Sequence, residues 1–192
     1  MTDEKKLTAK RKIITLGSFG GEKLQWLEIF NTDRRHYLVS QYLLAGPTLE
    51  DNGIWIPSLT SAGISGELER WCRKTFAKEF IPTLKEEDGA QVYRIHAISS
   101  VEIDSILKPE EKICSPKNGE PCFWYLDSSY SDDEEHCVLV NEKGEILKEN
   151  KPRYGQLHVR IGLELMTPNN PYLDRDQILA KSKYNFALDW PL

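Results

Sequence analysis

The chain has 192 residues, a formal net charge of −5 and a pI near 5.5. Hydrophobic residues make up 40% and charged residues 29%, a balance that is typical of soluble globular proteins and argues against wholesale disorder. This length fits one domain, or one domain with an appendage. The acidic balance argues against nonspecific binding to a nucleic-acid backbone, which needs a basic face, so we expect no direct nucleic acid binding.

The sequence shows no signal for export or membrane insertion. Residues 1–12 are polar and charged, without the apolar centre of a signal peptide, and no apolar run approaches the ~20 residues needed to cross a bilayer. Four cysteines in a chain of this length do not form a disulfide scaffold. We therefore expect a cytoplasmic protein with no cofactor and no membrane contact. A secreted form that has lost its leader stays open, as does the oligomeric state.

The first half of the chain predicts strands followed by a helix, after a flexible tail at residues 1–12. Strands are predicted at Ile13–Leu16, Leu24–Phe30 and His36–Leu44. The glycine-rich stretch 17–21 lacks the strand–loop–helix context of a phosphate-binding loop and favours a hairpin turn. Apolar residues at helical spacing predict the main helix from about Gly66 to Phe80, with Ser65 as its N-cap.

The second half is richer in strands. Further strands are predicted at Gln91–Ile95, Phe123–Leu126, Cys137–Asn141, Glu145–Lys148 and Leu157–Leu165. Ser99–Glu102 is a capping-box pattern that predicts a second, short helix ending at Pro109. This order predicts an α+β domain over residues 13–166, a mainly antiparallel sheet with two inserted helices. Residues 167–192 are predicted to be a C-terminal extension that docks on the domain.

The last predicted strand has the clearest alternation of apolar and polar residues. It places His158, Arg160 and Glu164 in a row on one polar face. Two interpretations of Arg160 follow: a structural pin that bonds backbone carbonyls or a carboxylate, which we favour, and a ligand contact.

A group of possible metal ligands follows the second helix. Cys114, Cys122, His136 and Cys137 lack the tight cysteine knuckle of zinc sites, and the adjacent His136 and Cys137 would point to opposite faces of a strand. We therefore predict no metal site and interpret these cysteines as semi-buried thiols. Cys122 and Cys137 are candidates for neighbours across paired strands.

Catalytic motifs are missing from the sequence, so no catalytic residue is predicted. The sequence has no nucleophile elbow, no zinc-protease motif, no Walker loop and no dinucleotide fingerprint. The enzyme alternative is Cys72 or Cys137 acting with a histidine. Cys72, however, lies on the apolar face of the predicted helix, where an inert buried thiol is expected.

The strongest candidate for a binding site is an aromatic stretch that runs into four acids. Because side chains alternate along a strand, the rings of Phe123–Leu126 must face opposite ways, which predicts at least one core ring and one outward ring. The acids at 132–135 have neither the spacing nor the glycine of an EF-hand, and such a run is usually a solvated loop. The candidate binding residues are Trp124, Tyr125, Asp127, Tyr130, Asp132, Asp133, Glu134, Glu135 and Arg160.

Several stretches, in chain order, resemble the motifs of a large family of uncharacterised bacterial and phage domains. Phe123–Ser129 resembles that family's aromatic pair leading into Leu-Arg-Ser-Pro-Gly, Val140–Gly144 its Val-Asn-x-x-Gly turn, and His158–Leu163 its closing Gly-Val-Arg-Pro-Ala-Leu strand. Matches to its opening strands, its helix and its Leu-Ser-x-x-Glu segment are Leu16–Phe19, Trp26–Ile29, Tyr37–Tyr42, Glu67–Trp71 and Ile98–Glu102. The closing strand is also similar, more remotely, to C-type-lectin-like folds of formylglycine-generating-enzyme relatives and retroelement variable proteins.

This resemblance implies a C-type-lectin-like core but no particular chemistry. Asp127 stands where the family has arginine, and Ile161-Gly162 stands where it has Pro-Ala. We expect a non-enzymatic recognition module of a bacterium or phage that binds a protein partner, including one with a basic surface, as an effector or inhibitor would. A module that binds carbohydrate or another small molecule, stacking on Trp124 or Tyr125 with or without calcium, is the alternative. A Cys/His-dependent enzyme is the second alternative.

Overall fold

The computed structural model describes residues 11–32, 35–49, 61–84, 91–128, 137–149 and 155–166. It has a mixed α+β fold in which most strands are antiparallel, as the sequence predicts. The predicted C-terminal extension and the first ten residues of the predicted tail lie outside the described residues. Arg11 is part of the folded body, because its guanidinium donates to the Glu111 carboxylate and to the carbonyls of Ile29 and Ile106.

The first sheet has five strands, and each is antiparallel to its neighbours. They are β1 (Ile13–Phe19), β2 (Glu22–Asn31), β3 (Arg35–Ser40), β5 (Gln91–Ala97) and β10 (Ile161–Met166), in the order β1-β2-β3-β10-β5. The turn between β1 and β2 is Gly20-Gly21, where φ is 60° and 76°, a backbone conformation that favours glycine. The hairpin prediction for residues 17–21 is confirmed, although β1 continues through Gly17 to Phe19.

The second sheet also has five strands. They are β4 (Leu44–Leu49), β6 (Trp124–Tyr125), β7 (Cys137–Val140), β8 (Ile146–Glu149) and β9 (Gly155–Val159), in the order β4-β9-β6-β7-β8. The β6/β9 pair is parallel, and the other pairs are antiparallel. The two-residue strand β6 therefore lies in the middle of the sheet.

Two stretches predicted as single strands are divided between the sheets. The chain leaves the first sheet after Ser40 and enters the second at Leu44, and it returns to the first sheet across Arg160. These two crossing points are bonded to each other: the Arg160 guanidinium donates to the Ser40 carbonyl, and the Ile161 N–H donates to Ser40 Oγ. The prediction that His158, Arg160 and Glu164 form a row on one face is therefore wrong.

The main helix begins earlier than predicted. It comprises α1 (Ser61–Trp71), a π-helical turn (Cys72–Phe76), α2 (Ala77–Phe80) and a 3₁₀ turn (Ile81–Thr83). Ser65 lies inside α1 and is not the N-cap; its Oγ accepts the Ser128 N–H instead. The helix buries side chains four positions apart, and the wide π turn helps to keep them on one side. They are Ile64, Leu68, Cys72, Phe76 and Phe80.

Two short helices replace the predicted second helix. They are α3 (Ile103–Ile106) and α4 (Pro109–Lys112). Pro109 begins α4 rather than ending a helix, since its fixed φ suits the first helical position. The predicted capping box does not form either, because the Glu102 carboxylate accepts the Ser99 hydroxyl and not a backbone N–H of Ser99.

Apolar side chains form one core on the side of the main helix and another on the side of α3. The first contains Trp26, Leu163 and Tyr125 with the buried face of the helix, and the ring centroids of Trp26 and Phe80 are 5.5 Å apart. The second contains Val39, Ile103 and Trp124. Both sheets contribute to both cores, so they form one folded body.

Candidate functional site

Both aromatic residues of the predicted binding segment are buried. Trp124 and Tyr125 are 0% exposed. They face opposite sides of the sheet, as alternation requires, but Trp124 enters the core beside α3 and Tyr125 the core beside the main helix. The Trp124 Nε1–H also donates to the Lys112 carbonyl at 3.1 Å. The expectation that one of these rings faces outward is wrong, because β6 is a central strand covered on both faces.

Asp127 lies where the end of β6 joins the turn after β5. Its N–H donates to the Ile98 carbonyl at 2.9 Å, and its carbonyl accepts the Ser100 N–H at 2.8 Å. The next residue, Ser128, donates its N–H to Ser65 Oγ at 2.9 Å. The half-buried Asp127 is thus held by its backbone between the two sheets. The other predicted binding residues of this segment, Tyr130, Asp132, Asp133, Glu134 and Glu135, lie outside the described residues.

Arg160 is 1% exposed and makes the contacts of a structural pin. Its Nε and Nη2 donate to the Ser40 carbonyl at 3.0 and 2.8 Å, and its Nη1 donates to the Glu111 carbonyl at 2.6 Å. The guanidinium carbon lies 5.7 Å from the centre of the Trp124 ring, a cation–π arrangement. Burial lowers the pKa of Arg160, whereas nearby Cys114 and Glu111 act in the opposite direction.

A cluster of buried and half-buried polar side chains lies beside Asp127, and no sequence pattern indicated that they would meet. We call Tyr37, His96, Ser99 and Glu102 the junction cluster. Glu102 Oε1 accepts the Tyr37 hydroxyl at 2.8 Å and lies 2.9 Å from His96 Nε2, while Oε2 accepts the Ser99 hydroxyl at 2.9 Å. The Tyr37 and His96 rings are stacked, with their centroids 6.0 Å apart. Strands β3 and β5 and the turn before α3 therefore converge on one carboxylate.

In the junction cluster, Glu102 is the hydrogen-bond acceptor, and Tyr37, His96 and Ser99 are its partners. Burial raises the pKa of Glu102, but the hydrogen bond and electrostatic interaction with His96 and the hydrogen bonds from Tyr37 and Ser99 outweigh it and hold the pKa below its ordinary value. Burial, and then the Glu102 charge, raise the pKa of Tyr37. Tyr37 is therefore a neutral donor at neutral pH and Glu102 an ionised acceptor. Because both Glu102 oxygens already have partners, this network suits holding the turn in place better than proton transfer.

Because Gly162 has no side chain, the side chains of Tyr37 and His96 can pack against its backbone. A Cβ at this position would lie 2.4 Å from Tyr37 Oη and 2.7 Å from His96 Cε1. Alternation along the last strand did place Gly162 on the face opposite the apolar residues. No sequence pattern, however, indicated that Tyr37 and His96 would meet there, since β3 and β5 are brought together only by their pairing with β10.

The four thiols are free and do not resemble activated nucleophiles. Burial raises the pKa of Cys72 and, with Glu149 as a smaller contribution, raises that of Cys137 to about 11. Cys122 and Cys137 are not neighbours across paired strands, because the register opposes Trp124 to Val140 and Cys137 to Glu149. Within the described ranges, no three His, Cys, Asp or Glu side chains are grouped so that they could hold a metal ion.

One open groove lies beside the β1–β2 hairpin. Its volume is about 250 Å³, and its lining includes Phe19, Leu24, Tyr42 and Leu44. An ion pair of 3.0 Å between Lys117 Nζ and Glu22 Oε2 lies at its rim. The groove is smaller than the roughly 300–1,000 Å³ of most small-molecule pockets, so by size it suits a single side chain.

A scan against protein-family models, a search of curated proteins and a search of solved structures each gave no significant match for this chain. The resemblance of its motifs to the bacterial and phage domain family therefore stays a prediction. Within the described part of the chain, none of the helices has both the length and the apolar character needed to cross a membrane.

Proposed function

We propose that the protein is a non-enzymatic recognition module that binds a protein partner through the acidic segment between β6 and β7. The observation that supports this proposal is the hydrogen bonding of the residues on either side of that segment. Leu126 N–H donates to the Val138 carbonyl at 3.0 Å, so the pairing with β7 continues one residue beyond β6. Ser128 and Cys137 thus lie at the same end of the sheet, and the segment with the acids at 132–135 connects two hydrogen-bonded stretches of chain.

The chemistry of the described residues supports recognition more than catalysis. The junction cluster is internally bonded, Arg160 donates to backbone carbonyls, and burial raises the pKa of each thiol. Trp124 and Tyr125 support the segment from within the core and do not offer a stacking surface for a sugar. The Cys/His enzyme and the carbohydrate-binding module therefore gain no support from the described residues.

The partner we propose has a basic surface. Residues 132–135 are four consecutive acids in a chain of net charge −5, and such a field attracts a cationic partner and raises the association rate at low salt. A bacterial or phage effector of this kind would act by occupying the basic surface of its target. We also propose a cytoplasmic location for this encounter.

The scaffold we propose is C-type-lectin-like. Its support is the position of the motif-like stretches in the fold: Ile98–Glu102 forms the turn of the junction cluster, Phe123–Ser129 includes β6, and His158–Leu163 includes the crossing at Arg160. These three stretches meet, because the Ile98 N–H donates to the Arg160 carbonyl and the Asp127 N–H donates to the Ile98 carbonyl. A solved structure whose topology departs from that fold would overturn this part of the proposal.

The test replaces Asp132 and Asp133 with Asn, and Glu134 and Glu135 with Gln. Tagged native and substituted proteins are used to capture partners from an extract of the source cells, and affinity for the captured protein is then measured at two salt concentrations. We expect at least a tenfold loss of affinity in the substituted protein and a smaller loss when salt is raised, because fewer charges are left to screen.

The matched control removes the same number of charges elsewhere. Its four substitutions to Gln are at exposed acids: Glu110, Glu120, Glu142 and Glu145. Equal losses in both variants would mean that only net charge matters and would contradict the proposed site. A rise in the melting temperature with calcium that EDTA reverses would instead favour the calcium-dependent lectin alternative, since a ligand of the native state stabilises it.

A further inference from the structure

Two of the four cysteines lie side by side in the stretch that leads from α4 into β6. The Cys122 N–H donates to the Cys114 carbonyl at 3.2 Å. This single bond brings the two backbones close together; where antiparallel residues exchange both such bonds, their Cα atoms lie about 5.5 Å apart. Disulfides join Cα atoms separated by roughly 4.4–6.8 Å, and the backbone hydrogen bond between Cys114 and Cys122 is compatible with that range.

The side chains of this pair also share one environment. Cys114 is buried in the core beside α3, and the half-buried Cys122 packs against the same cluster. Burial raises the pKa of the Cys122 thiol, and the neighbouring Cys114 thiol adds to this effect. Cys72 and Cys137 belong to the other core, on the side of the main helix. Cys114 and Cys122 are thus joined by a backbone hydrogen bond and packed in the same apolar cluster.

We propose that Cys114 and Cys122 form a disulfide when the protein meets an oxidant of the disulfide class, and that this bond fastens the loop between them. In the first step the Cys122 thiolate, on the more exposed residue, attacks one sulfur of the small disulfide and releases one thiol. In the second step the Cys114 thiolate attacks the Cys122 sulfur and releases the second thiol. Two electrons and two protons leave the protein in total, and a reducing environment reverses the reaction.

The bond would act on a loop that already supports both sheets. The Leu43 N–H donates to the Ser115 carbonyl at 3.0 Å, next to the point where the chain enters β4. Cys114 Sγ donates to the Gln41 carbonyl at 3.3 Å, and this weak bond is lost on oxidation. The bond lowers the conformational entropy of the unfolded chain. Because this stabilises the folded state, we expect the melting temperature to rise by about 5–10 °C.

The test uses the folded full chain in buffers that contain oxidised and reduced glutathione at several ratios. Samples are quenched in acid, free thiols are alkylated, and the protein is digested and analysed by mass spectrometry. Trypsin alone leaves Cys122 and Cys137 in one peptide, because there is no Lys or Arg between Lys117 and Lys143. Chymotrypsin, which cleaves after the aromatic residues from Phe123 onwards, separates them. The expected product is a Cys114–Cys122 bridge, accompanied by the rise in melting temperature.

Two variants make the assignment specific. Cys122→Ala should lose the rise in melting temperature on oxidation, whereas Cys137→Ala should keep it. A bridge between Cys122 and Cys137, a glutathione adduct on Cys122 that never resolves, or oxidation seen only after unfolding would each overturn the proposal. The peptide map of the unaltered protein decides the question even if a variant folds poorly.

Discussion

Two polar networks lie near the place where the two sheets meet, and they are centred on opposite charges. At Arg160 a guanidinium donates to the backbone carbonyls of Ser40 and Glu111. At Glu102 a carboxylate accepts from the side chains of the junction cluster. The networks touch through Ile98, whose N–H donates to the Arg160 carbonyl and whose carbonyl accepts the Asp127 N–H. The bonds of Arg160 are to backbone carbonyls, so they depend on the path of the chain. The bonds of Glu102 are to side chains, so they depend on which residues are present and, because Glu102 titrates, on pH.

The largest effect should come from removing the cation. Arg160→Met keeps an apolar side chain beside Trp124 but leaves the Ser40 and Glu111 carbonyls without their donors. Because buried acceptors that lose their partners are costly, we expect a loss of about 3–5 kcal/mol in the free energy of unfolding. Urea unfolding measures it. Arg160→Lys, which keeps the charge but not the fork of donors, should lose less. A loss below about 1 kcal/mol for Arg160→Met would contradict the pin.

A second variant tests the space beneath the junction cluster. Gly162→Ala places a Cβ 2.4 Å from Tyr37 Oη, and the forced displacement should cost about 2–3 kcal/mol. Adding Tyr37→Phe removes the atom that is struck first and should restore part of the loss. The control is Gly119→Ala, where the nearest atoms lie 3.4 Å away on the Pro116 ring. Equal stability of the Gly162 and Gly119 variants would argue against close packing of Tyr37 and His96 on Gly162.

The smallest effect should come from the carboxylate, and it should depend on pH. The pKa of Glu102 is lower in the folded state than in the unfolded chain. Its contribution is therefore fully present above the unfolded pKa of about 4.3 and is lost as the pH falls through the folded pKa. Glu102→Gln should lose about 1–2 kcal/mol at pH 7, and its stability should fall less steeply than that of the native protein between about pH 5 and 3. Parallel stability curves for the two proteins would contradict this role.

The local elements were predictable wherever short-range patterns decide them. The centre of the main helix, the β1–β2 hairpin and strands near the predicted positions of β2, β5, β7 and β8 all occur. Helical spacing and strand alternation report burial on one face. For the same reason the alternation in Leu157–Leu165 predicts one strand, whereas the structure has two. A residue buried at a crossing between sheets keeps the period of two without belonging to either strand.

The candidate site was predictable only in part. Strand alternation correctly placed Trp124 and Tyr125 on opposite faces, but it contains no information on whether a face is covered. Burial of both followed from the position of β6 between β9 and β7. The sequence indicated Ser99–Glu102 as a capping box but not the contact of Glu102 with Tyr37, because these two residues are 65 positions apart. The favoured interpretation of Arg160 as a pin agrees with its contacts, whereas its predicted place in a row of polar residues was wrong.

The sequence by itself determined the α+β class, the mainly antiparallel pairing and the approximate positions of most helices and strands, since these depend on neighbours within a few positions. The tertiary structure alone decided which sheet each strand joins and which polar groups meet. Ser40 and Arg160 are 120 positions apart, and no local period specifies that a carbonyl at one crossing of the chain will meet a guanidinium at the other. That contact exists because a buried donor and a buried acceptor each need a partner, and the fold brings them together.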